Sequence, residues 1–350
     1  MDPATLIPAA EAIPSPWLWF EVLLVLTFAV HILFMNLTVG SAIIALASRL
    51  GFGKPGGREL ADELGHRLPT TLALTVNFGV APLLFVQVVY GQFLYTSSVL
   101  MAVFWLSAIA AVIVGYYCLY IHDAKHEAAP PLSLLALILS LACLLYTGFL
   151  LANNMTLMLR PAAWAAYEQN PNGTILNLSD PTLWSRYLHM MLAAPAVAGL
   201  YVALIGGKKR RPDWITLGLA WFTRLTMVQI LVGGWVLMSL PREVMLGFMG
   251  RSPLATGLLG AGVALSLAAL MAGIQKKPTQ AAWLTFAAVV VMCATRAQVR
   301  LLTLEPFFSP SSLPVTNEIS PLVMFLASLV FGLGAIAYML KTYAKSAGRG

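Results

Sequence analysis

Residues 17–47 read WLWFEVLLVLTFAVHILFMNLTVGSAIIALA, and Glu21 and His31 are the only titratable side chains among them. A helix of that length rises about 1.5 Å per residue and exceeds the roughly 30 Å hydrocarbon core of a bilayer. The run therefore predicts a transmembrane helix. It also puts an imidazole where an unpartnered polar group is costly, so function is expected to begin at His31.

The rest of the chain has the same character. Hydrophobic residues make up 59% and charged residues 10% of the 350, where a soluble domain carries roughly 25% charge. Eight further apolar stretches lie at 68–95, 99–121, 131–152, 185–206, 214–240, 254–274, 281–300 and 321–342, each long enough to cross a bilayer. These nine spans predict an all-α polytopic membrane helical bundle, a single integral membrane domain over residues 1–350. Spans two and three are expected to form a tight hairpin broken at Thr96-Ser97-Ser98, and the stretch His122 to Glu127 separates spans three and four. No repeat of 20–50 residues is present and no soluble domain can be fitted. The first span is too long, and its flank with Asp2 and Glu11 too acidic, for a cleaved signal peptide, so it is expected to remain as a helix.

Orientation follows from Lys and Arg. With the N-terminus outside, Arg49, Lys54, Arg58, Arg67, Lys125, Lys208 to Arg211, Lys276, Lys277, Lys341, Lys345 and Arg349 fall inside, 14 in all, whereas only Arg160, Arg186, Arg242, Arg251, Arg296 and Arg300 fall outside. This predicts an N-out, C-in topology. The bias and the absence of a targeting segment suit a bacterial inner membrane. The net charge of +7 matches attraction to anionic headgroups and gives no reason to invoke nucleic acid.

Cys118, Cys143 and Cys293 lie far apart within spans, and neither CxxCH nor CxxC occurs. Covalent c-type haem, zinc and iron–sulfur clusters are therefore not indicated, and any metal cofactor must use His, Met or carboxylate. Of the five histidines, His66, His122 and His126 sit at the inner boundary beside charged residues and read as solvated loop histidines. His31 and His189 belong to the outward, apolar half. For His31 the alternative is a core histidine bonded to a neighbouring helix, with Asn77, Gln87 or Glu21 as candidate partners.

Four stretches carry a resemblance. His31-Ile32-Leu33-Phe34-Met35-Asn36-Leu37-Thr38-Val39-Gly40 is similar to the first-helix HxLFxxLTxG signature of subunit I of cytochrome bd-type quinol oxidases. Asn77-Phe78-Gly79-Val80-Ala81, Leu151-Ala152-Asn153-Asn154-Met155 and Arg186-Tyr187-Leu188-His189-Met190 resemble that family's NFxxGVA, VANxWM and RFxHM segments, in the same order. The resemblance covers about residues 17–210, and 211–350 diverge. It implies that His31 matches the ligand of the oxygen-reactive haem and His189 the ligand of the low-spin b haem. Neutral imidazole is a good axial ligand to haem iron, and the shell around it tunes the potential.

The chain departs from the family at several points. Gln87, four residues before Gly91, stands where the family has a helix-two glutamate. A helix-helix hydrogen-bonding role accounts for that amide equally well. Only Pro241 to Pro253 connects spans six and seven, in place of a long quinol-binding loop, and no GRQPW stretch or helix-eight glutamate is present. The methionine that completes the low-spin site has Met245 and Met249 as nearest candidates, with Met238 and Met227 as alternatives; each also reads as packing. One or two b-type haems are expected.

Arg224 lies deep in span six, about 20 Å from each surface, and joins the candidate cofactor-binding residues. Arg296 and Arg300 lie at the outer end of span eight, where they can neutralise haem propionates or snorkel to the interface. The outer segment Met155 to Ser185, with Trp164, Tyr167 and Trp184, reads as amphipathic and lying among headgroups. It and Leu304 to Pro321 are candidate docking surfaces. The leading expectation is a membrane electron-transfer subunit that takes electrons from quinol and passes them through b haem to an outer-side partner, such as a multihaem cytochrome, or to another membrane subunit. A terminal oxidase reducing oxygen, and a haem-free anchor or transporter on the same scaffold, are the alternatives.

Overall fold

The computed structural model describes residues 3–51 and 57–347; Asp2, Lys54 and Arg349 lie outside the described residues. The helices are α1 (Trp17–Arg49), α2 (Gly57–Leu100), α3 (Ala102–Lys125), α4 (Pro130–Met158), α5 (Pro181–Lys208), α6 (Pro212–Ser239), the short α7 (Arg242–Leu246), α8 (Pro253–Ile274), α9 (Pro278–Leu304) and α10 (Ile319–Ala347). Among the described residues all of these except α7, nine helices, are long and apolar enough to cross a membrane. The protein is an all-α helical bundle of a multi-pass membrane protein.

Local chemistry explains the helix starts. Helices α4, α5, α6, α8 and α9 each open on proline, whose fixed φ and missing N–H suit the first turn. Asp180 caps α5 by accepting from the Thr182 N–H at 2.7 Å. The expected break at Thr96-Ser97-Ser98 falls instead at Met101, the single residue between α2 and α3. Thr96 and Ser97 stay helical, and their hydroxyls donate back to the carbonyls of Gln92 at 2.7 Å and Leu94 at 3.0 Å, so neither polar group is left unpaired.

Helix α2 also begins eleven residues before its expected apolar span, at Gly57. Its first turns carry Glu59, Asp62 and Glu63, which bind Arg211, Arg49 and the pair Arg67 and Lys209. Asp213 and Glu59 hold the Arg211 guanidinium pKa above its ordinary value through hydrogen bonds. Arg49, Arg67, Lys209 and Arg211, four of the basic residues expected on the inner side, are thus tied down by acids of α2. His122 is not solvated as expected: it is buried, and its Nδ1 lies 2.8 Å from Ser133 Oγ and 3.0 Å from the Ser133 carbonyl. His66 is exposed beside Asp123, and the His126 ring bonds the Asp123 carbonyl.

The opposite end is rich in connections. Trp164 does not lie among headgroups: it is buried, donates to the Leu157 carbonyl at 2.9 Å and packs on Phe93. Tyr167 and Trp184 remain exposed. Asn153 Oδ1 accepts from the Asn177 N–H at 3.1 Å, and Asn177 donates to Thr156 and Asp180, so buried amides fasten the 159–180 segment to α4. The 305–318 segment folds over α2 through Phe308, which packs on Tyr90 and Phe93. Ile13 pairs with it by backbone bonds to Pro314 and Thr316. Helix α10 is largely exposed and meets the bundle at Phe325, edge-on to Phe85.

Small residues let the central helices touch. A Cβ on Gly40 of α1 would fall 2.1 Å from the Ala194 carbonyl oxygen of α5, and one on Gly218 of α6 would fall 2.3 Å from the Gly199 carbonyl oxygen. Close backbone approach of this kind is how membrane helices gain packing without a hydrophobic driving force. Gly40→Val should therefore separate α1 from α5 and destabilise the protein by about 1–3 kcal/mol. Gly234→Ala, where nothing lies within 4 Å, should leave the apparent unfolding temperature in detergent unchanged; equal behaviour of the two variants would contradict this packing.

Candidate functional site

Close to the connection-rich end, three helices bring opposite charges together in the protein interior. Glu21 lies four residues into α1, Tyr90 ten residues before the end of α2, and Arg300 four residues before the end of α9. Tyr90 OH donates to Glu21 Oε2 at 3.1 Å, and Arg300 Nη2 donates to Glu21 Oε1. The Arg300 guanidinium also stacks 4.5 Å from the Tyr90 ring centre. The side chains of Arg300 and Glu21 are 6% and 8% exposed, so Arg300 is an interior ion-pair partner and does not snorkel. Helix α2 loses regular geometry at Tyr90 itself, with φ −126° and ψ 28°.

This ion pair leaves positive charge over. Arg186 of α5, Arg296 and Arg300 line a cavity of about 20 Å³ together with Met155, Met158 and Leu159, room for about one water molecule. Glu21 binds Arg300, buried Asp180 lies near Arg186, and Arg300 Nε stays buried without a hydrogen-bond partner. Three guanidinium groups against two carboxylates, Glu21 and an Asp180 already engaged with Thr182, is an arrangement suited to anionic oxygens, which arginine binds in a planar fork.

The two outward histidines flank this cluster by separate routes. Arg296 stacks 4.4 Å from the Phe28 ring centre, and the Phe28 ring lies 6.2 Å from that of His31. The His31 Nδ1 lies 2.9 Å from the Thr75 carbonyl of α2, and a Cβ on Gly79 would fall 2.9 Å from the same ring. None of the expected partners bonds it: Asn77 donates into its own helix at the Ala73 carbonyl, and Glu21 is engaged with Arg300 and Tyr90. An Nδ1–H held by a carbonyl is the arrangement that leaves Nε2 with a lone pair for a ligand.

His189 lies one helical turn after Arg186, on the same face of α5. It turns toward α6, where the Gln229 backbone and Gly233 lie against the ring; a Cβ on Gly233 would fall 3.3 Å from Cε1. Its Nδ1 is buried and has no hydrogen-bond partner. His31 and His189 therefore face different helices, α2 and α6, with the arginine cluster as a common neighbour.

The remaining sequence candidates sit elsewhere. Gln87 lies on α2 one turn before Tyr90 and eight residues beyond Gly79, about 12 Å from the level of His31. Met245 packs among Leu240, Val244 and Phe248, and Met249, Met227 and Met238 are exposed. Arg224 is exposed on α6, on the side opposite Gly233. Sequence reading missed the Tyr90 contact, the role of Arg186 and the lining methionines Met155 and Met158, because each depends on which helices meet. Set against known proteins, the chain matches no family model and no curated protein at a significant level.

Breaking a buried pair by removing one partner costs about 3–5 kcal/mol, whereas replacing both with apolar residues is often neutral. Glu21→Gln should lower the apparent unfolding temperature in detergent, and adding Arg300→Met should recover most of the loss. Tyr90→Phe should cost about 1 kcal/mol. Additive penalties in the double variant would show that the pair does not act as a unit.

Proposed function

We propose that this protein is a membrane electron-transfer subunit that holds b-type haem, oxidises quinol within the bilayer and passes electrons to an outer-side partner such as a multihaem cytochrome. The observation that carries this reading is the buried, unpartnered Nδ1 of His189 beside a glycine of α6. A buried polar atom left unsatisfied costs about 1–3 kcal/mol, and a ligand removes that cost. Among the described residues no group of three or more His, Cys, Asp or Glu assembles to hold a metal ion. Haem iron needs only one or two protein ligands, because the macrocycle supplies the rest.

When bound, haem supplies an iron that takes up and releases single electrons. The residues of this chain have complementary tasks. His189 and His31 would hold the haem iron through an imidazole nitrogen, with the Thr75 carbonyl fixing the His31 ring. Gly79 and Gly233 keep side-chain atoms away from the two rings. Arg186, Arg296 and Arg300, exceeding Glu21 in charge, would receive propionate carboxylates. The exposed aromatic residues Tyr167 and Trp184 at the same end offer an outer partner a surface.

Oxygen reduction needs a proton supply, which buried ionisable groups commonly provide. Gln87 occupies the position of the family's acid, and between Asp213 and Glu305 the only acid is Glu243, exposed and paired with Arg251. These features favour a protein acceptor over oxygen. The haem-free reading draws on the His31–Thr75 bond and on the Gln229 backbone against the His189 ring, each of which gives an imidazole a protein neighbour without any ligand; it leaves the His189 Nδ1 unbonded.

A reduced-minus-oxidised visible spectrum of the purified protein separates these readings. His189→Ala should remove a low-spin b-type absorption while the protein remains inserted, and His31→Ala should lower haem content by about one equivalent. Unchanged haem content in both variants would overturn the assignment. Quinol-driven oxygen consumption should stay near background, and robust cyanide-sensitive turnover would restore the oxidase alternative.

A further inference from the structure

Arg224 is a charged side chain at mid-depth on an outward surface. It lies 12 residues after Pro212 and 15 before Ser239 in α6, about 18 and 22 Å along the axis. Helix α6 packs against α5 and α8. Its remaining face carries Met227, Leu231, Trp235 and Met238, all exposed, with Leu231 at 75% and Met238 at 79%. Arg224 is exposed at the N-terminal end of this stripe, one turn before Met227 and Val228 and two turns before Leu231. The headgroup phosphates stand about 15 Å or more from the bilayer midplane. An extended arginine side chain spans less than half of that, so lipid phosphate does not neutralise it.

A guanidinium facing acyl chains at this depth costs about 2.5 kcal/mol or more, and intramembrane charges are ordinarily paired. Among the described residues no acid pairs with Arg224. Glu21 is the only acid within its nine apolar spans, and it is already bonded to Arg300 and Tyr90. A second copy docked on the same face would add a second arginine, not an anion. The haem reading does not use Arg224 either, because Gly233 and Gln229 meet His189 on the opposite side of α6.

We propose that the Arg224 face of α6 docks a second, different membrane polypeptide, one of whose transmembrane helices carries an aspartate or glutamate at matching depth. Leu231, Trp235 and Met238 supply apolar contact area along the helix on the C-terminal side of the ion pair, and the pair sets the register of the two helices.

The test places a photoreactive benzoylphenylalanine at Leu231 in the full chain, expressed in the membranes of its own cells, and identifies the cross-linked peptide by mass spectrometry. The expected product joins Leu231 to a single different polypeptide, at a transmembrane stretch containing Asp or Glu. Arg224→Glu should reduce that product about tenfold or more, Arg224→Lys should retain it, and Lys in place of the partner's acid should restore it in the Arg224→Glu background. Size-exclusion profiles of the variants check that the chain itself remains folded. Cross-linking to lipid or to a second copy, a product indifferent to the Arg224 charge, or no product at all would each overturn the proposal.

Discussion

The buried ion pair between Glu21 and Arg300 is the constraint around which the connection-rich end is arranged. Two charges removed from water cost several kcal/mol each unless their geometry and remaining hydrogen bonds are good. Tyr90 meets that requirement twice, donating to the carboxylate and placing its ring under the guanidinium. Helices α1, α2 and α9 must converge within bonding distance for this to hold. The irregular backbone at Tyr90 and the packing of Phe308 over it belong to the same local solution.

Elsewhere the bundle is held by proximity. Gly40 against Ala194 and Gly199 against Gly218 bring backbones closer than any side chain would permit. In a bilayer, where lipid tails are as apolar as leucine, such contacts and a few polar bonds are what distinguishes one helix neighbour from another. At the basic end, acids of α2 do the corresponding work in a wetter setting, where individual ion pairs contribute little but several together define a surface.

Charge imbalance organises the proposed function. Arg186 and Arg296 add two positive charges beside the Glu21–Arg300 pair, and the neighbouring His189 keeps an unbonded nitrogen. Both features are costly in a protein interior, and the proposed cofactor, carrying carboxylates and a metal, would relieve both. Arg224 poses the same problem on the outer face of α6, where the acid of the proposed partner would relieve it.

Sequence alone determined the nine spans, because length and apolarity decide whether a segment can cross a bilayer whatever its neighbours are. It also identified His31, His189, Arg224, Arg296 and Arg300, since an ionisable group in an apolar run stands out without any structure. The partners were not legible. Thr75, a plain threonine on paper, holds His31 through its carbonyl, and His122, which reads as a loop residue, is sealed beneath α4 by Ser133. Glu21 and Arg300 are 279 positions apart, and nothing in local spacing relates them. Periodicity and hydropathy report what each helix must bury, whereas the choice of which helix buries it belongs to close packing and charge pairing between segments distant in the chain, and only the tertiary structure decides that.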